Sequence, residues 1–124
     1  MPTLRTLLVD DCPAFLHAVA RFFTADYGME TGVEVVGYAS SGQEALEQVE
    51  NLRPDLVLMD WSMPGMNGLE ATRQLKAQID CPLVVMLTGH DSPNYQLAAA
   101  QAGADGYVVK EKLGSLLLPL IQGL

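Results

Sequence analysis

A chain of 124 residues, 49% hydrophobic and 18% charged, is sized for one domain around one core and is not composed like a disordered segment. Its net charge of -8, with no Lys/Arg cluster, argues against a nucleic-acid surface and means that an anionic ligand needs specific groups or a metal to hold it. No apolar run is long enough to span a bilayer and no basic, signal-like segment opens the chain, so the cytoplasm is the expected compartment and reduced thiols the expected state of Cys12 and Cys81.

Leu4 to Val9 reads as a first strand. Pro13 suits the first position of a helix, and Phe15, Val19, Phe22 and Phe23 recur at helical spacing to about Tyr27. Val33 to Ala39 is a second strand. Ser41-Gly42-Gln43-Glu44 is a capping-box pattern that opens a helix carrying Ala45, Leu46, Val49 and Leu52, broken by Arg53-Pro54-Asp55. Leu56 to Met59 is the continuous apolar run of a buried strand. Asn67-Gly68-Leu69-Glu70 caps a third helix, with Leu69, Thr72, Leu75 and Ile79 expected on one face. Leu83 to Leu87 is a fourth strand, Ser92-Pro93 starts an alanine-rich helix that stops at Gly103, Tyr107 to Val109 is a fifth strand, and a last helix is expected from Ser115 to Gln122. Strands alternating with helices predict an α/β fold: a parallel sheet covered on both faces, with right-handed crossovers.

Ligands in such sheets bind beyond the carboxyl ends of the strands. Polar groups stand there after four strands: Asp10-Asp11, Asp60, Thr88 and Lys110. Carboxylates sharing a pocket cannot all stay ionised without compensation. One lysine is too little, and a hard divalent cation such as Mg²⁺ is the natural partner. The residues therefore describe a Mg²⁺ site beside a phosphoryl site, with Lys110 and Thr88 placed to hold phosphate oxygens. Glycine-rich nucleotide loops, zinc-spaced Cys/His clusters and a G-x-S-x-G elbow are absent from the sequence.

Four stretches, "LLVDD" (7–11), "LVLMDWSMPGMNGLE" (56–70), "VVMLTG" (84–89) and "GADGYVVKE" (103–111), together resemble the receiver (CheY-like) domains of two-component response regulators. The resemblance covers essentially the whole chain and implies a single receiver domain over 1–124, a flavodoxin-like (βα)5 fold with strand order 2-1-3-4-5. It implies that Asp60 accepts a phosphoryl group from a histidine kinase or phosphotransfer protein. Asp10, Asp11, Asp60 and the backbone carbonyl of Trp61 would hold Mg²⁺, and Lys110 would pair with the acidic pocket and then with the phosphoryl oxygen. Thr88 would move to meet that group and Tyr107 would change its burial, altering the surface of the fourth helix, fifth strand and fifth helix. Such a chain is a phosphoacceptor that assists its own phosphorylation and dephosphorylation, and not an enzyme. "GYVVKE" resembles receivers linked to helix-turn-helix output domains, so a separate target protein is a less favoured expectation than an output domain. Glu111 follows Lys110 where the family commonly has proline.

Ser62 and His90, two residues past Asp60 and Thr88, are candidates for tuning the phosphoryl lifetime. An aspartyl-phosphate phosphatase would want a second aspartate at position 62. A flavodoxin-like electron carrier would want a Ser/Thr/Gly loop after the first strand. A metal-binding interaction module on the same fold would be expected to have lost site residues. From Ser92 to Leu124 the only charged residues are Asp105, Lys110, Glu111 and Lys112. In the last helix Leu117, Leu120, Ile121 and Leu124 could share a stripe, Leu116 and Leu118 could not both join it, and Pro119 should kink the helix or delay its start. These features lead us to expect an apolar contact there with a neighbouring domain or a second subunit.

Overall fold

The computed structural model describes residues 4–23, 32–63, 65–89 and 92–124. Its elements alternate: β1 (Leu4–Val9), α1 (Pro13–Arg21), β2 (Val33–Ala39), α2 (Gly42–Leu52), β3 (Leu56–Asp60), α3 (Gly68–Lys76), β4 (Leu83–Thr88), α4 (Pro93–Gln101), β5 (Gly106–Val109) and α5 (Leu113–Gln122), with a 3-10 turn over Lys110–Lys112. The strands form one parallel sheet in the order β2-β1-β3-β4-β5. Order reverses between β1 and β3, so their carboxyl ends flank the crevice where such sheets bind ligands.

Strand periodicity divides the core. Leu7, Val9, Val57, Met59, Val84 and Met86 pack with Ala45 and Val49 of α2, Ala71 and Leu75 of α3, and Ala99 of α4. Leu8, Leu56, Leu58, Val85, Leu87 and Val108 face the other way, against Val19 and Phe23 on one side and Leu113, Leu117 and Ile121 of α5 on the other. Both faces of the central strands are thus covered, which is why their sequences are apolar runs without alternation.

Helix ends follow their sequence signals. Ser41 Oγ accepts from Glu44 N at 3.1 Å, and the Glu44 carboxylate accepts from Ser40 N at 3.1 Å. Asn67 Oδ1 accepts from Glu70 N at 2.9 Å, and Ser92 Oγ accepts from Asn94 N at 3.3 Å. Gly103, at φ +97 just after α4, occupies backbone space that a side chain would strain.

Several boundaries depart from expectation. β3 and β4 each run one residue further, because Asp60 and Thr88 still pair in register, with Leu87 and Val109 respectively. α1 ends at Arg21, followed by a π-type turn at Phe22 and Phe23; Tyr27 lies outside the described residues. α3 stops at Lys76, so Ile79 has left the helical spacing and stands 99% exposed rather than on the buried face with Thr72 and Leu75. α5 begins at Leu113, two residues early, and runs through Pro119 with no delayed start. Pro119 and Ser115, whose carbonyl loses its helical partner, are both exposed, so water can satisfy that oxygen. Leu117 and Ile121 are buried and Leu120 half-buried, whereas Leu124 joins Leu116 on the exposed side.

Gly68 opens α3 directly beneath β3, where an added Cβ would overlap the Asp60 carbonyl oxygen. Backbone cannot yield there without moving the carboxyl end of β3. Gly68→Ala should destabilise the fold by about 2 kcal/mol or more. Urea denaturation measures this, and a loss below about 0.5 kcal/mol would show that the β3–α3 junction gives way easily.

Candidate functional site

The carboxyl ends of β1, β3, β4 and β5 deliver one polar group each to the same place. Asp10 follows β1 and is 2% exposed, Asp60 ends β3 and is 4% exposed, and Thr88 ends β4 and is buried. Lys110 follows β5. Its ammonium lies 2.9 Å from Asp10 Oδ2 and 2.9 Å from Asp60 Oδ1. Asp11 is exposed at the rim, and one carboxylate oxygen from each of Asp10, Asp11 and Asp60 lies within 4.8 Å of the others. Asp10 also accepts a hydrogen bond from Cys12 N at 2.9 Å through its other oxygen. It therefore shapes the turn into α1 as well as binding the lysine.

Electrostatics follow from this crowding. Burial pushes the Asp60 carboxyl above its ordinary value, Asp10 and Asp11 add to the rise, and the Lys110 hydrogen bond opposes it. Burial pulls Lys110 down, but its hydrogen bonds to Asp10 and Asp60 outweigh that and leave its pKa raised. The lysine is firmly cationic, yet one cation faces three acids. A further positive charge is what the arrangement lacks.

Two backbone bonds hold Trp61 just after β3. Trp61 N donates to Leu87 O at 2.9 Å and Trp61 O accepts from Gly68 N at 2.9 Å. The Trp61 ring meets Tyr95 of α4 edge-on, with centroids 4.9 Å apart. Ser62 is exposed beside Asp11 and Trp61 in a shallow cleft. Tyr107 is half-buried on β5 and packs against the core that α2, α3 and α4 cover. His90 lies outside the described residues.

Residues 6–121 match the model of the response regulator receiver domain. The chain belongs to that family. It is 37% identical over 108 residues to the response regulator protein VraR of Staphylococcus saprophyticus, covering 86% of this chain and 49% of that one. It is 34% identical over 119 residues to the transcriptional regulatory protein DegU of Brevibacillus brevis, covering 96% of this chain and 49% of the relative. The chain thus spans about half the length of these curated relatives. Among solved structures, a two-component response regulator of the LuxR family from Aurantimonas superposes with a TM-score of 0.87 at 32% identity, over 98% of this chain and 84% of that one.

In this receiver the structure brings together Asp10, Asp11, Asp60 and Lys110, with Thr88 at the adjoining strand end. Two neighbours were not legible as site residues. Phe15, read only as an apolar helix position, lies under the lysine, 4.3 Å from Nζ to ring centroid. It gives the ammonium a favourable third face where water would otherwise compete. Tyr95 walls the cleft beside Trp61. Neither contact leaves a trace in local sequence, since Phe15 and Lys110 meet only through the sheet order. Within the described residues no helix is long and apolar enough to cross a membrane.

Because the fold raises the Asp60 pKa, the ionised side chain costs stability at neutral pH, and the cost fades as pH falls through the raised value. Without divalent metal, Asp60→Asn should therefore be more stable than the wild type at about pH 7.5, with the gap narrowing toward acid pH. Thermal unfolding in EDTA reads this directly. A lower Tm for the variant would mean that the Lys110 pair outweighs the burial of the charge.

Proposed function

We propose that this receiver is a phosphorylation-dependent switch whose phosphoacceptor is Asp60. One observation carries the reading: a buried aspartate at the end of β3 shares a lysine with Asp10 and lies within reach of one further carboxylate, that of Asp11. The donor set is all hard oxygen, and the Trp61 carbonyl, with one lone pair engaged by Gly68 N, retains a second. Asp10, Asp11, Asp60 and that carbonyl therefore suit Mg²⁺. Bound there, the ion would neutralise the acids and the oxygens of an incoming phosphoryl group.

Reaction then follows from the chain's own groups. An Asp60 oxygen attacks the phosphorus of a phosphohistidine on a histidine kinase or phosphotransfer protein. The O–P bond forms as the P–N bond breaks, and the imidazole leaves with the electron pair of that bond, neutral when its other nitrogen is protonated. Lys110 passes from the Asp60 carboxylate to a phosphoryl oxygen without leaving Asp10. The Thr88 hydroxyl, one strand over, donates to another. Phosphorylation adds roughly 1.5–2 negative charges where acids already crowd. Drawing Thr88 inward shifts the β4–α4 connection and alters the room available to Tyr107. Ser62 and His90, two residues past Asp60 and Thr88 in the sequence, set how long the acyl phosphate survives. On this reading the chain is no enzyme acting on separate substrates; it assists its own phosphorylation and dephosphorylation.

The output face is α4, β5 and α5. Charges over residues 92–124 cancel, while the whole chain carries -8, and Leu97 and Leu116 stand exposed there. That face suits an apolar contact with an output domain or a second receiver. The transcriptional regulatory name of the Brevibacillus relative supports a DNA-binding output in a cytoplasmic regulator.

With Mg²⁺ and acetyl phosphate, intact-mass analysis should find one added phosphoryl group on the wild type and none on Asp60→Asn. The fluorescence of Trp61, the sole tryptophan, should respond in step. Modification that persists in Asp60→Asn, or a wild type that takes up nothing from any phosphodonor, contradicts the proposal.

A further inference from the structure

Lys110 is the first residue past the sheet. The register of β5 on β4 runs to Val109, and the 3-10 turn begins at Lys110, so no strand ladder fixes where its side chain points. Contacts must do that. An ammonium has three N–H donors, and two are spent on Asp10 and Asp60. The Phe15 ring lies on a further side, 4.3 Å from Nζ to centroid.

Phe15 is delivered to the lysine by the same aspartate that binds it. Asp10 takes the ammonium with Oδ2 and the Cys12 amide with Oδ1. The Cys12 carbonyl then accepts from Phe15 N and Leu16 N, both at 3.1 Å, and Pro13 opens α1. The ring therefore has a fixed mount. Phe15 and Asp10 also border a narrow apolar space among Leu8, Val19, Leu58 and Leu87, which leaves no room for a water molecule. Solvent does not reach the ring from that side.

Phosphoryl transfer, as proposed above, strips the lysine of one anchor. As an Asp60 oxygen bonds to phosphorus, charge moves to the phosphoryl oxygens, and Lys110 has to be where they appear. Asp10 alone is a single point about which a flexible four-carbon stem can swing. The face of the Phe15 ring is a second point, and the transfer consumes no part of it.

We infer that Phe15 is a positioning residue for phosphoryl transfer: its ring holds the Lys110 ammonium in place while Asp60 gives up its bond to the lysine. This rests on the proposed function and deepens it by naming the group that keeps the lysine aimed. Phe15 has no polar side-chain group of its own and acts through Lys110.

Shape and electrostatics can be separated at this position. Mono-, di- and trifluorophenylalanine, incorporated in place of Phe15, keep a ring of similar size and progressively withdraw the electron density that attracts a cation. With Mg²⁺ and phosphoramidate, the phosphorylation rate read by intact mass and Trp61 fluorescence should fall stepwise along the series. It should end about three- to tenfold below wild type, with Phe15→Leu at or below that level. Damage to packing alone would not grade with fluorination. A metal-free readout checks the contact itself. In EDTA, a urea-denaturation double-mutant cycle between Phe15→Leu and Lys110→Met should show a coupling of about two- to tenfold in the unfolding constant. A wild-type rate in the trifluoro protein, or no coupling in EDTA, overturns the role of Phe15 and leaves Asp60 phosphorylation standing. A wild type that no phosphodonor modifies overturns the switch reading and this role with it.

Discussion

Lys110 placed between Asp10 and Asp60, 2.9 Å from each, is the contact on which the site depends. Its partners come from opposite parts of the chain and meet because the sheet order sets β1 beside β3 and carries β5 close enough for a long side chain to reach across β4. Two acids are buried there, and Asp60 is held in a state that burial and its neighbours disfavour. Hydrophobic packing on both sheet faces supplies the stability that tolerates this arrangement. On the proposed reading, the carboxylate that would accept a phosphoryl group lies where three acids share one lysine.

The opposite edge of the sheet is built differently. Asp55 accepts from Arg5 N at 2.9 Å and its carbonyl accepts from Leu83 N at 2.9 Å, tying β1 and β4 to the start of β3. Asp105 accepts from Lys76 Nζ at 2.8 Å and from Val84 N at 2.9 Å, anchoring α3 and β4 beside β5. Asp55 and Asp105 are each matched to donors, with Lys76 as the cation on Asp105. The carboxyl ends, by contrast, gather three acids around one lysine.

Much of this was legible in the residues. Central strands read clearly because burial on both faces demands continuous apolar runs, and the caps at Ser41 and Asn67 formed as their side-chain chemistry requires. The site read clearly because Asp10, Asp60, Thr88 and Lys110 each stand where an apolar run stops. Other features needed tertiary information. Ile79 kept helical spacing with Leu75, but no residue type announces that α3 ends at Lys76. Pro119 argued for a later helix start, yet it stands on the exposed side of α5, where water can satisfy the carbonyl that loses its helical partner. Phe15 and Tyr95 belong to helices read as packing surfaces, and their contacts with Lys110 and Trp61 exist only once the sheet is assembled.

We propose that the three carboxylates beside Lys110 form a shared cation site. Chemical denaturation with and without Mg²⁺ tests it most directly. If the site is real, Mg²⁺ at about a hundred times its Kd stabilises the wild type by roughly 2.7 kcal/mol, and Asp11→Asn loses most of that gain while keeping its stability without metal. Equal stability of the wild type in Mg²⁺ and in EDTA would contradict the account.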